Sequence, residues 1–144
     1  MQRHIHLERH YNHPPERVWR AITDPGIIKR WMQMDNDFKA EVGHRFALHD
    51  ISGNWDGVLM CEVTHVDPPH ELSYDFIGGV MKHKTQVTIT LYATETGTKL
   101  QLAHTGFTGL QDIGISFIIG MGWRRMLKTL LDILSDTSLE LTEA

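Results

Sequence analysis

Apolar and polar side chains alternate with a period of two across residues 38–107, almost half of the chain. Turn-forming stretches such as Asp67-Pro68-Pro69 and Thr96-Gly97 divide this region into segments of strand length. Because successive side chains of a strand point to opposite faces, the pattern predicts an antiparallel sheet with one dry face and one solvated face. The residues predicted on the dry face are Trp55, Leu59, Cys61, Val63, Leu72, Tyr74, Phe76, Val87, Ile89, Leu91, Leu100, Leu102 and His104.

Helical spacing replaces this alternation at about residues 112–136, where the apolar residues fall on one broad face. The spacing predicts a long C-terminal helix that covers the dry face of the sheet. Near the N-terminus, Pro14-Pro15 and Asp24-Pro25 mark the starts of two short helices, each with its own apolar stripe. A first strand, two short helices, an antiparallel sheet and a terminal helix together predict an α+β domain.

Four of the ten histidines lie within residues 4–13, in the stretch HIHLERHYNH. On a strand, His4 and His6 point the same way, so they are able to share a metal ion. The same alternation puts Glu8 and His10 beside them, with apolar residues on the opposite side. That is also the pattern of a half-buried first strand, and we favour the strand. Neither a functional metal nor a cofactor is expected.

Composition and charge narrow the class of protein. A length of 144 residues predicts one domain, residues 1–144, and a formal net charge of −4 gives no basic surface for nucleic acid. The single cysteine, Cys61, precludes an internal disulfide, and the polar N-terminal residues 1–10 lack the apolar core of a secretion signal. We therefore expect a cytoplasmic protein. The most apolar run, residues 113–123, is too short for a membrane span, which needs about 20 residues.

Five motifs, in order along the chain, resemble those of the START-related helix-grip (SRPBCC) superfamily. The nearest branch comprises single-domain bacterial relatives of the activator of the heat-shock-protein-ninety ATPase. The motifs are PPERVWRAITDPGIIKRWM at 14–32, GHRF at 43–46, VDPPHELSYDF at 66–76, GTKLQLAHTGF at 97–107 and GWRRMLKTLLDIL at 122–134.

The resemblance implies a helix-grip fold, in which a curved antiparallel sheet wraps around the long C-terminal helix and a cavity between them holds a small molecule. Apolar cavities with one or two polar groups that orient the ligand are typical small-molecule sites. The candidate cavity residues are Trp31, Leu59, Tyr74, Phe76, Ile89, His104, Phe107, Phe117, Met121 and Arg124.

Each chemically suggestive residue also has a structural explanation. Trp31 either packs in the core or stacks on a flat ligand, and His104 and Tyr74 are either satisfied core residues or anchors inside the cavity. Arg124 and Arg125 either lie on a solvated face, or one of the two guanidiniums receives a carboxylate or phenolate. The glycines of the apolar run at 113–123 either bring the helix close to the sheet or loosen a lid.

Three functions fit these expectations. The first is binding of a small apolar or aromatic ligand by a monomer or homodimer. The second is a cochaperone-like interaction through the outer sheet face, where Val58 and Met60 interrupt the polar pattern. The third is a cyclase or hydrolase that uses His104 or Tyr74. No nucleophile-elbow, zinc-protease or phosphate-loop motif is present, so we assign no catalytic residue and disfavour the third function.

Overall fold

The computed structural model describes residues 2–51, 58–77, 84–108 and 110–136. The elements in chain order are β1 (Gln2–Tyr11), α1 (Pro15–Thr23), α2 (Pro25–Met32), β2 (Met34–Asn36), β3 (Arg45–Asp50), β4 (Val58–Asp67), β5 (Glu71–Phe76), β6 (Thr85–Ala93), β7 (Thr98–Thr108) and α3 (Leu110–Leu134).

Within the described residues, seven strands form one curved antiparallel sheet in the order β1-β7-β6-β5-β4-β3-β2. The predicted dry face is confirmed, because each of its described members is buried. Trp55, the remaining member, lies outside the described residues. The predicted α+β helix-grip architecture is confirmed as well, with α3 packed against the sheet as the gripped helix.

The first strand is also confirmed. Ile5 and Tyr11 are buried, whereas His4, His6 and His10 are exposed. The imidazole of His10 lies 3.3 Å from the carboxylate of Glu8. Among the described residues, no group of three or more His, Cys, Asp or Glu side chains is placed to hold a metal ion.

Helix α3 is tied to the N-terminal elements by hydrogen bonds to its backbone. The hydroxyl of Tyr11 donates to the carbonyl oxygen of Leu127 at 2.9 Å. The guanidinium of Arg17 donates to the carbonyl of Leu134 at 2.7 Å, which satisfies one of the carbonyls that a helix C-terminus leaves unpaired. The C-terminal half of α3 is thereby held in place.

No helix among the described residues is long and apolar enough to cross a membrane.

The chain leaves α2 through a backbone conformation that residues other than glycine rarely adopt. Gln33 has φ 57° and ψ 48°, in the left-handed region. It leads into β2, where Asp35 pairs with His49 of β3. Strand β2 was not predicted, because three residues are too few to show a period and only the pairing with β3 defines them.

Candidate functional site

An open cleft of about 610 Å³ lies between the end of α2, strands β2 to β5, and one face of α3. Three aromatic side chains, those of Trp31, Phe76 and Trp123, line it. Both indole N–H groups are already engaged. Nε1 of Trp31 donates to the carbonyl of Ala21 at 2.9 Å, and Nε1 of Trp123 donates to Nδ1 of His104 at 3.1 Å. The aromatic walls of the cleft are therefore fixed in position.

His104 connects Trp123 to the sheet. An indole N–H only donates, so Nδ1 of His104 accepts and Nε2 carries the proton, which it donates to Oγ1 of Thr85 at 2.9 Å. The rings of Phe76 and Phe107 lie 4.8 and 4.7 Å from the imidazole, centroid to centroid. Burial lowers the pKa of His104 to about 3, so the ring is neutral near pH 7.

A second and much smaller space lies deeper in the core. This inner void, of about 10 Å³, is bordered by Tyr74 and Ile89 together with other apolar side chains. Tyr74 is 3% exposed, and its hydroxyl has no hydrogen-bond partner among the described residues. Burial holds the pKa of this hydroxyl well above its usual value, so it stays protonated.

The candidate cavity residues divide into four groups. Trp31, Leu59, Phe76 and Met121 line the cleft, and Tyr74 and Ile89 border the inner void. His104 and Phe107 are buried in the core next to each other, and His104 also contacts Trp123. Phe117 and Arg124 are exposed on α3 and are not among the lining residues. The assignment of these ten residues to a ligand stays a prediction.

Several lining residues were not predicted. On α3 they form a stripe of Ile118, Gly122 and Met126, at i, i+4 and i+8 on one helical face. This spacing was visible in the sequence. Elsewhere Gln33 and Asp50 reach the cleft where β2 pairs with β3, a pairing that no local pattern predicts, and Leu48 reaches it from the buried face of β3, where it alternates with Phe46.

The three glycines of the apolar run differ in their surroundings. A Cβ added to Gly120 would lie 3.8 Å from the side chain of Ile5, which is ordinary contact with the sheet. Added to Gly114 or Gly122, it would meet nothing within 4 Å. Close approach to the sheet therefore concerns Gly120 alone, and the lid stays a prediction.

A curved antiparallel sheet that grips a long C-terminal helix, with a cleft beside that helix, defines a helix-grip domain. Residues 12–135 match the family described as Activator of Hsp90 ATPase homolog 1-like protein, and the chain belongs to this family. No significant match was found among curated proteins.

Solved structures agree with this assignment. Protein MLL2253 from Mesorhizobium loti is 38% identical, with a TM-score of 0.84 over 95% of this chain and 100% of that one. Protein BH1534 from Bacillus halodurans is 27% identical, with a TM-score of 0.74 over 94% and 100% of the two chains. CalU16 from Micromonospora echinospora is 26% identical, with a TM-score of 0.72 over 97% and 81%.

The two buried tyrosine hydroxyls predict opposite effects of the same substitution. Tyr11→Phe removes a hydrogen bond to Leu127 and should lower the free energy of unfolding by about 1 kcal/mol. Tyr74→Phe removes a buried hydroxyl without a partner and should leave stability unchanged or raise it by about 1 kcal/mol. Urea denaturation of both variants measures the difference, and equal losses would contradict it.

The low pKa of His104 predicts an acid sensitivity that one variant should reduce. Between pH 6.5 and pH 3 the unfolded chain binds a proton that the folded chain does not, so stability falls as the pH drops through this window. Acidification from pH 7 to pH 5 should cost wild type about 2 kcal/mol more than His104→Gln, which lacks the titrating ring. Denaturation at the two pH values tests this, and equal losses would show that His104 is not responsible.

Proposed function

We propose that this protein binds a flat, mostly apolar small molecule in the cleft between the sheet and α3. The observation that carries the proposal is a cleft of about 610 Å³ with three positioned aromatic side chains, within the size range of small-molecule sites. Membership of the helix-grip family supports it. Burial of a ligand's apolar area, at about 25 cal/mol per Å², supplies the driving force.

Polar residues at the cleft then orient the ligand. Arg125, rather than Arg124, lines the cleft, together with Gln33, Asp50 and Thr129. A guanidinium at this position receives a carboxylate or phenolate at the open end of the ligand, the role that the sequence suggested for one arginine of this pair. The remaining expectations, a cytoplasmic location and a monomer or homodimer, belong to this proposal.

Filling the cleft from α3 tests the proposal. Gly122 lies between Ile118 and Met126 on the stripe that faces the cleft, and its missing side chain leaves open space. Gly122→Leu should therefore place an isobutyl group in the cleft and weaken binding of any ligand of that size about tenfold or more. Ligands are found by thermal shift with flat aromatic and lipid-like compounds, and affinities are measured by quenching of tryptophan fluorescence.

Gly114→Leu is the matched control. Gly114 also faces open space on α3 but does not line the cleft, so both substitutions raise helix propensity and only one fills the site. The control should bind as wild type does. Equal weakening of ligand binding in both variants would show that the ligand binds outside the cleft. A screen in which no compound stabilises wild type would contradict the proposal.

A cochaperone-like interaction is the second candidate. Met60 is 42% exposed on the solvated face of β4, beside the less exposed Val58. An exposed apolar side chain of this kind suits a protein contact, although single exposed residues are common. Titration with a purified heat-shock-protein-ninety chaperone should show binding that Met60→Glu abolishes. Absence of binding at high protein concentration would remove this candidate.

Catalysis by His104 finds less support. Both ring nitrogens hydrogen-bond to Thr85 and Trp123, and among the described residues no carboxylate hydrogen-bonds to the imidazole. A cyclase or hydrolase activity therefore stays a prediction without a matching arrangement of groups. If His104→Gln binds ligand normally and wild type forms no product, the hypothesis of a cyclase or hydrolase activity is wrong.

A further inference from the structure

Three side chains separate the cleft from the inner void. Trp31, Met32 and Leu48 border both spaces, and we call these three residues the partition. The cleft on one side of the partition is open to solvent, whereas the void on the other side reaches the buried Tyr74. One layer of side chains thus separates Tyr74 from the cleft.

The inner void suits the oxygen of a larger molecule better than it suits a water molecule. At about 10 Å³ it has room for about one water, which needs two to four polar partners to be held. Among its described lining residues, the Tyr74 hydroxyl is the one side-chain polar group without a partner, since Nε1 of Trp31 already donates to Ala21. An oxygen covalently attached to an apolar body is held there by that body and needs Tyr74 alone.

The members of the partition differ in their freedom to move. Trp31 is 2% exposed and pinned by its hydrogen bond, and Leu48 belongs to β3, where it pairs with Leu59 of β4. Met32 is the last residue of α2 and has an unbranched side chain with three rotatable bonds. Rotation of Met32 therefore opens the partition at the lowest cost.

We infer that the site of the bound state runs from the cleft past Met32 to Tyr74, and that its ligand carries a hydroxyl or carbonyl oxygen at the buried end. This inference rests on the proposed function and specifies its ligand class. Tyr74 donates to a carbonyl oxygen, and with a hydroxyl it either donates or accepts. Among the described residues no cation borders the void, so a buried carboxylate is disfavoured there.

Two nearly isosteric probes test the inference. 2-Naphthol and 2-methylnaphthalene differ by a hydroxyl in place of a methyl group, and both are titrated against wild type and Tyr74→Phe. The preference for naphthol, expressed as the ratio of the two dissociation constants, should fall fivefold to twentyfold in Tyr74→Phe. Tyr11→Phe, the same substitution at a buried tyrosine outside both spaces, should keep the wild-type ratio.

Association rates test the path. Met32→Ile stiffens the partition with a β-branched side chain and should slow naphthol association several-fold, whereas Met126→Ile alters the cleft without touching the void and should slow it less. Suppose that the ratio of the two dissociation constants is unchanged in Tyr74→Phe, and that both probes still compete with a screened compound whose binding Gly122→Leu weakens. That result would overturn the inference and leave the proposed function standing. Failure of both probes and of every screened compound to bind would overturn the two together.

Discussion

The imidazole of His104 joins the sheet to the long helix. It donates to Thr85 of β6 and accepts from Trp123 of α3, so three elements meet at one side chain. Loss of any member leaves a buried polar atom unpaired, at a cost of about 1–3 kcal/mol, and the three side chains therefore hold one another in place. Trp123 is also a wall of the cleft. The geometry of the cleft thus depends on a core histidine that does not line it.

The buried aromatic residues differ in whether their polar atoms have hydrogen-bond partners. The polar atoms of Trp31, Trp123 and Tyr11 all have partners that lock their rings in place. Tyr74 has none among the described residues, although it is as buried as they are. Its neighbours Phe46 and Phe76 pack against the ring and do not hydrogen-bond to the hydroxyl. In the proposed bound state, Tyr74 therefore supplies the polar preference at the buried end of the ligand, and Arg125 supplies it at the open end.

Periodicity in the sequence was enough to predict the sheet, its dry face and α3, because burial imposes a period of two on strands and of 3.6 on helices. It did not resolve which residues of α3 line the cleft. Neighbours on a helix point about 100° apart, so Ile118 and Arg125 line it while Phe117 and Arg124 do not. Gln33 was missed for another reason, since it reaches the cleft where the short strand β2 pairs with β3, a pairing that no local pattern encodes.

Three departures from local stability meet around the cleft and the void. Gln33 holds a left-handed backbone conformation where glycine is usual, and Gly122 occupies a helix interior at a cost of about 1 kcal/mol relative to alanine. Tyr74 buries a hydroxyl without a partner. A substitution would relieve each departure: glycine at Gln33, alanine at Gly122 and phenylalanine at Tyr74. Gln33 and Gly122 line the cleft and Tyr74 borders the void behind it. Departures of the same kinds also occur away from both spaces, at Gly114 of α3 and at the buried hydroxyl of Thr64, which has no partner among the described residues. What favours the cleft as the functional site is therefore the open space that Gly122 leaves in it and the hydroxyl of Tyr74 behind it.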